Sequence, residues 1–488
     1  MRRLSPLLSL CGLPALLLST SVFAQYDIVE FSSGQAVRQT ALIAEGTLYV
    51  FSAVEDGSRQ LQTFPVNEPD AASRTEHLAE DLIFVDEIET SSGKQIALVY
   101  RDEARLLSDS SSLLKFDSIY NAPVFQSLPH LNVFRDINGD GLDDFLIPSF
   151  DGYQASVQLE DGGFSQATTL EGTPLMDMSY NSHPWYQAKT LFVADLTGDG
   201  QTDLAFWEAS RFVVYPQLAD GSFASQPTFV PTSLGLDYDS VDGMSLRFSN
   251  QDQSNNSVKV IHSLADYDND QIPDLMAMSV KSEGVLNKTT TFSLHPGQMR
   301  IDDDQAALVF SHEPVSAVQS NGIQYDMLAR DLDSDGDLDL MISSVELGVG
   351  KIIGALLTSS IKIDLGFYPM IAGSYPAKAA TTRNMTASFS LSSGEYWLPT
   401  VQLLDHNGDG KVDLMIQDSD VALSLYEANH SDNLFSNKKQ TIRVPVPKDP
   451  DLIRRMDVNR DGRSDLLMLV PPALGETEGH RIVLLQSQ

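Results

Sequence analysis

One nine-residue pattern, Asp-x-Asp/Asn-x-Asp-Gly-x-x-Asp, recurs six times in the 488-residue chain, with small departures in two copies. The oxygen-bearing side chains at the first, third, fifth and ninth places are Asp136, Asn138, Asp140 and Asp144; Asp195, Thr197, Asp199 and Asp203; and Asp266, Asp268, Asp270 and Asp274. The series continues with Asp331, Asp333, Asp335 and Asp339; Asp405, Asn407, Asp409 and Asp413; and Asp457, Asn459, Asp461 and Asp465. With a backbone carbonyl at the seventh place, such a set can wrap a hard cation that accepts about six to eight oxygens, which is the habit of calcium. The sixth-place glycine supplies the positive φ that turns the chain around the ion. Plain polar turns would leave three or four carboxylates repelling one another uncompensated. Magnesium prefers a compact octahedron and keeps its waters. Transition metals recruit imidazole or thiolate, and no histidine stands at a ligand place. His406 falls between ligands and is expected to point outward. The expectation is therefore up to six calcium ions. Thr197 brings no charge and Gln271 replaces the glycine, so the loops at Asp195 and Asp266 are expected to be atypical.

The elements that must hold these loops are legible on either side of them. Apolar runs precede several loops (Leu131–Phe134, Leu191–Ala194, Val401–Leu404) and follow them (Phe145–Ile147, Leu204–Phe206, Leu340–Ile342, Leu414–Ile416, Leu466–Val470). Short apolar runs bounded by turns are buried strands. An EF-hand would carry a glutamate at its twelfth place before a helix; here Ile147 stands there, inside a strand-like run. Further strands can be read after the loops, as Tyr153–Leu159 and Phe164–Thr168 around Glu-Asp-Gly-Gly, and as Phe212–Leu218 before Ala-Asp-Gly-Ser. Thr47–Val54 and Gln60–Val66 have the same form near the N-terminus. Four strands per repeat describe a blade of an all-β propeller, with each acidic loop between first and second strands.

On these loops the chain resembles the FG-GAP/VCBS repeat family, the calcium-loop β-propellers of the integrin α-subunit type. The resemblance covers nearly all of residues 25–488, which are expected to form a single propeller domain. It implies the fold and the metal. For activity it implies adhesion, ligand binding or scaffolding, with polysaccharide lyases among the ring-shaped relatives. A degenerate copy without the ligands is expected near Asp86, in Phe84-Val85-Asp86 followed by Gly93 and Ile96–Tyr100. The remaining residues at the two ends exceed one average blade and fall short of two. Seven blades are favoured and eight are possible. The connection Thr232–Val258, with its Gln251–Asn256 polar run, is expected as a surface loop.

Asp and Glu number 67 against 32 Lys and Arg, a formal net charge of −35 that excludes a nucleic-acid partner. Residues 1–24 read as an export signal: Arg2 and Arg3, an apolar run, then Ser21-Val22-Phe23-Ala24. The expected destination is periplasmic, secreted or cell-surface associated. No later run reaches the ~18 apolar residues of a membrane span, so no transmembrane segment is expected. The single cysteine, Cys11, lies within the signal, which leaves the exported part without thiols.

No catalytic constellation has a supporting context. The nine histidines are scattered, and His312-Glu313 reads as a surface pair. Aromatic residues stand shortly before several first strands: Trp185 and Tyr186, Tyr396 and Trp397, and Tyr325. Because the acidic loop ends the first strand, these side chains are expected on the opposite face of the ring. There Trp185, Tyr186, Tyr396 and Trp397 would stack on a glycan or anchor a protein loop; packing between blades is the structural alternative. The expected function is a calcium-stabilised binding or scaffold module, not an enzyme. The alternatives are a polysaccharide lyase or hydrolase and a structural subunit of a surface assembly.

Overall fold

In the computed structural model, the apolar runs beside each acidic loop pair as antiparallel hairpins: Leu403 faces Leu414, and Val401 faces Ile416. The structure describes residues 26–32, 39–53, 58–69, 71, 73–120, 128–172, 175–177, 185–187, 189–208, 210–236, 257–284, 288–302, 305–321, 323–346, 349–390, 396–429, 434–472 and 481–488. The expected signal at residues 1–24 lies outside them, as do residues 237–256 of the expected surface loop.

Eight antiparallel sheets follow one another along the chain. Blade 1 consists of Gln39–Ala44, Thr47–Ala53, Arg59–Pro65 and Arg74–Leu78. Blade 2 consists of Phe84–Thr90, Gly93–Val99, Glu103–Leu106 and Ser112–Lys115. Blade 3 has Phe134–Arg135, Asp144–Ser149, Gly152–Ser156 and Thr168–Glu171. Blade 4 has Leu191–Ala194, Asp203–Glu208, Arg211–Tyr215 and Thr228–Pro231. Blade 5 has Ser257–Ala265, Asp274–Ser282, Lys288–His295 and Ser316–Asn321. Blade 6 has Ile323–Arg330, Asp339–Val345, Ser360–Tyr368 and Thr381–Phe389, with Tyr396–Trp397 as a short fifth strand. Blade 7 has Val401–Leu404, Asp413–Ser419, Ala422–Tyr426 and Gln440–Arg443.

Blade 8 takes Ile453–Met456, Asp465–Val470 and Arg481–Ser487 from one end of the chain and its outer strand, Tyr26–Ser32, from the other. Tyr26 pairs with Ser487 and Ser32 with Arg481, so the two ends close the ring. The favoured count of seven is thus corrected to eight. The residues fit because blades 1 and 2 replace the acidic loop by two-residue hairpins, Ala44 pairing with Thr47 and Thr90 with Gly93. Glu45 and Gly46 have φ of 47° and 72°, the paired left-handed conformation that matches strand twist. Thr47–Ala53 and Arg59–Pro65 are accordingly the second and third strands of blade 1. The degenerate copy at Asp86 is blade 2.

Alternate residues of each second strand serve opposite neighbours, which is why these strands read as unbroken apolar runs. Leu414 packs toward blade 6 and Met415 toward blade 8; Leu466 packs toward blade 7 and Leu467 toward blade 1. The core is therefore eight apolar clusters, one at each junction between neighbours, including that of blade 8 with blade 1. First strands lie innermost. Arg454 of blade 8 bonds Ala41 of blade 1 and reaches Glu87 of blade 2 at 2.9 Å, and a blade can be skipped only near the axis.

Among the described residues, three insertions decorate the ring. Leu175–Asp177 pairs with Trp185–Gln187 ahead of blade 4, and Gly297–Asp302 pairs with Gln305–Phe310 within blade 5. The ten-residue helix Val349–Thr358 in blade 6 was not foreseen, although its apolar residues recur at helical spacing; Val349, Ile353, Leu356 and Leu357 on it are exposed. Among the described residues no helix is long and apolar enough to cross a membrane.

Candidate metal loops

All six acidic loops fall between first and second strands of blades 3 to 8, in one shared frame. The first-place aspartate folds back over its own loop. Its Oδ2 accepts the sixth-place N–H at 2.8–3.1 Å in every copy, from Gly141, Gly200, Gln271, Gly336, Gly410 and Gly462. The fifth-place Oδ1 accepts the seventh-place N–H at 2.8–3.0 Å, from Leu142 in blade 3 to Arg463 in blade 8. The sixth residue is left-handed throughout, with Gln271 at φ 69° among glycines. Despite their sequences, the loops at Asp195 and Asp266 keep the common backbone frame.

The ninth-place aspartate opens the second strand and is buried in every blade: Asp144, Asp203, Asp274, Asp339, Asp413 and Asp465. Its Oδ2 accepts the N–H of the second-place residue, as from Leu332 at 2.8 Å, and its Oδ1 accepts an N–H from the end of the third strand or just past it, as from Met370 at 2.8 Å. One carboxylate thus ties the loop's start to the end of the neighbouring third strand. Burial pushes Asp144, Asp274 and Asp339 up to about 7 against the pull of these N–H donors, and the neighbouring loop carboxylates add to the rise. Asp413 is pushed up to about 6, and Asp203 and Asp465 are raised, in each case chiefly by burial. Six strongly acidic loops therefore hold their negative charge at a cost that a cation would offset.

Oxygens converge in the loops. Asp266, Asp268 and Asp274 each place a carboxylate oxygen within 4.8 Å of the others, as do Asp331, Asp333 and Asp335. In the other four loops the third place is Asn138, Thr197, Asn407 or Asn459, so an amide or hydroxyl oxygen stands where those two have a carboxylate. At the third place, Asp268 Oδ1 and Asp333 Oδ1 are buried atoms with no hydrogen-bond partner among the described residues. Buried polar oxygens without a partner are costly. Two of them at one repeated place fit a site built to receive a hard cation. Bonded carboxylate oxygens keep a second lone pair for the same purpose.

Three features escaped sequence reasoning. His406 is buried, not outward: its ring lies 6.0 Å from that of Tyr26, and burial holds it below the usual histidine range. The reason is the second-place N–H bond to the ninth-place aspartate, which turns that side chain inward; Ile137, Leu196, Tyr267 and Leu332 are buried at the same place. Their apolar character was the available signal. The fourth place is also left-handed in every loop, at Gly139, Gly198, Asn269, Ser334, Gly408 and Arg460. Gln217 reaches from blade 4 to the carbonyl of Asn138 in blade 3 at 2.9 Å, and Gln158 bonds the Glu89 carbonyl of blade 2 at 3.0 Å. The repeated Gln-Leu before an Asp-Gly turn marked that latch.

The strands carrying the four aromatic candidates lie at the other end of the ring. First strands run toward the loops, so the segments leading into them start from the opposite face. The backbones of Trp185 and Tyr186 pair with Asp177 and Met176 ahead of blade 4. Those of Tyr396 and Trp397 pair with Phe389 and Ser388 ahead of blade 7. Trp397 is half-buried, and its indole N–H has no partner among the described residues. The helix Val349–Thr358 joins a second to a third strand and so belongs to the same face. His312 and Glu313 are an exposed pair 4.0 Å apart.

Closed ring and repeated loop together define a repeat β-propeller. Residues 136–206, from the loop of blade 3 into the second strand of blade 4, match the family model for the FG-GAP-like repeat. The chain is a β-propeller carrying FG-GAP-type repeats. No curated protein matches it. Among solved structures, an Agrocybe aegerita lectin described as recognising non-reducing terminal N-acetylglucosamine is similar at 13% identity and TM-score 0.38, over 86% of this chain and 90% of that one. The Dos1 propeller is similar at 10% identity and TM-score 0.42, over 94% of each chain. The BP39L lectin from Burkholderia pseudomallei is similar at 11% identity and TM-score 0.33, over 86% of this chain and 99% of that one. Likeness at this level says nothing of what this chain binds.

Proposed function

We propose that residues 25–488 form an exported, calcium-stabilised β-propeller that binds a protein or glycan through the face opposite its acidic loops. The observation that carries the metal half is the buried, partnerless third-place oxygen of Asp268 and Asp333 beside converging carboxylates. Bound calcium would neutralise the loops and hold them to their strands, with the first, third, fifth and ninth places of each loop as ligands. Export through residues 1–24 would supply the higher calcium of an extracytoplasmic compartment, where modules of modest affinity fill. The recognition half is supported by the exposed apolar helix Val349–Thr358 on the face to which Trp185, Tyr186, Tyr396 and Trp397 lead. Replacing Trp185 and Trp397 by alanine should weaken capture of a partner, read by glycan array and by pull-down from the native envelope, at unchanged melting temperature. A large fall in melting temperature with binding intact would instead assign them to packing.

A second reading, chemistry at the ring centre, is favoured by one cavity. It measures about 320 Å³ between blades 8 and 1 and is lined by Thr40, His130 and Arg454 among others. His130 Nε2 donates to buried Asp86 at 2.9 Å, and Asp86 is held by the N–H groups of Val133 and Phe134. A carboxylate-oriented imidazole beside a guanidinium can move a proton on an anionic substrate. Turnover of a polysaccharide that is lost in His130→Ala while the fold persists would favour this reading.

A further inference from the structure

Arg454 and Arg455 are consecutive on the innermost strand of blade 8, yet their surroundings differ. Arg454 turns toward blades 1 and 2 and finds the Glu87 carboxylate at 2.9 Å. Arg455 turns the other way, to the carbonyl of Leu403 on the innermost strand of blade 7. From the far side of blade 7, Arg330 of blade 6 reaches the same carbonyl at 3.4 Å. Two guanidiniums are thereby gathered on one backbone oxygen, and the geometry is set by strands, not by mobile loops.

No carboxylate among the described residues pairs with either arginine. That is unusual in a chain with 67 acidic residues and a net charge of −35. The nearest acids in sequence are turned away. Asp331 folds into its own loop to accept the N–H groups of Ser334 and Gly336, and Asp457 does the same with those of Asp461 and Gly462. Each guanidinium spends one N–H on Leu403 and keeps its other donors, which a planar oxyanion satisfies in pairs. Arg455 is exposed and Arg330 partly so, which leaves both open to the channel.

We infer that Arg330 and Arg455 form an oxyanion site at the loop-side end of the central channel, clasping a carboxylate or sulfate group between blades 6 and 8. The site stands at the other end of the ring from the proposed recognition face. Its ligand is either a free inorganic anion or the acid group of a sugar; the shared chemistry is the planar or tetrahedral oxyanion that a pair of guanidiniums prefers over chloride.

Calorimetric titration of the full chain with sodium sulfate and with sodium glucuronate, against sodium chloride at matched ionic strength, tests the site. Sulfate and glucuronate are chosen because they do not strip calcium as phosphate or citrate would. The expected result is saturable binding of at least one of the two, weakened about tenfold or more in R330Q/R455Q. Stronger sulfate binding identifies an inorganic anion; stronger glucuronate binding identifies a sugar acid. R455K keeps the charge and loses the fork, so it should fold as the parent does and bind more weakly. Arg105→Gln, which removes an exposed guanidinium paired with Glu103, should bind as the parent does. Absence of binding by both anions, or binding undiminished in both R330Q/R455Q and R455K, overturns the assignment.

Discussion

The ninth-place aspartates carry two demands at once. Each is a buried structural tie, accepting N–H groups from its own loop and from the end of the third strand or just past it, and each adds charge to a crowded loop. In the metal-free fold Asp144, Asp274 and Asp339 keep their protons up to about pH 7, well above an unfolded carboxyl at about 3.9. The folded state therefore binds more protons than the unfolded one between those values. Their contribution to stability is full below the lower value and is lost as pH rises through the upper. Chelated protein should melt several degrees higher at about pH 5 than at about pH 8, while excess calcium, which binds the ionised form, should flatten or invert that slope. Melting curves at both pH values, with chelator and with calcium, check this. Gln271 allows a second prediction: its left-handed backbone favours glycine, so Gln271→Gly should raise stability by about 1 kcal/mol in denaturant titrations. The acidic residues were legible because their spacing is chemical. His406 was misjudged because the inward turn of the second place depends on a bond across the loop that spacing does not display.

At the scale of the element, a blade is stable only between neighbours. The paired apolar runs were legible as strands because both faces of each second strand are buried. The helix Val349–Thr358 was legible but passed over: Val349, Ile352, Ile353, Leu356 and Leu357 recur at the helical spacing i, i+3, i+4, i+7, i+8. With two-residue hairpins in place of acidic loops, blade 2 was legible only as a degenerate copy at Asp86 and blade 1 only as the strand pair near Thr47–Val66. The closing strand Tyr26–Ser32 provides the sharpest elemental test. Phe31 is buried against Phe64 with ring centroids 5.8 Å apart, across the junction of blades 8 and 1. Phe31→Ala should cost about 3–5 kcal/mol, measured by denaturant unfolding, although it touches no acidic loop. A loss comparable to that of an exposed surface position would mean that the ring is not closed there.

For the molecule as a whole, the acid excess and the ring have one explanation. Loops from neighbouring blades lie close enough that a Cβ at Gly336 would meet Asn269 of the preceding loop at 2.6 Å, so the charge is concentrated along a row on one face. The net charge of −35 is then in good part a set of proposed cation cages. Seven blades against eight could not be decided from length, because the count turns on how the two chain ends share the last sheet. The central claim is that calcium binds the folded ring and holds it together. Titrating calcium into chelated protein by calorimetry while following the melting temperature tests it most directly. Saturable binding of several ions, up to six, with a large rise in melting temperature is the predicted result. A melting temperature unchanged between chelator and saturating calcium would contradict it.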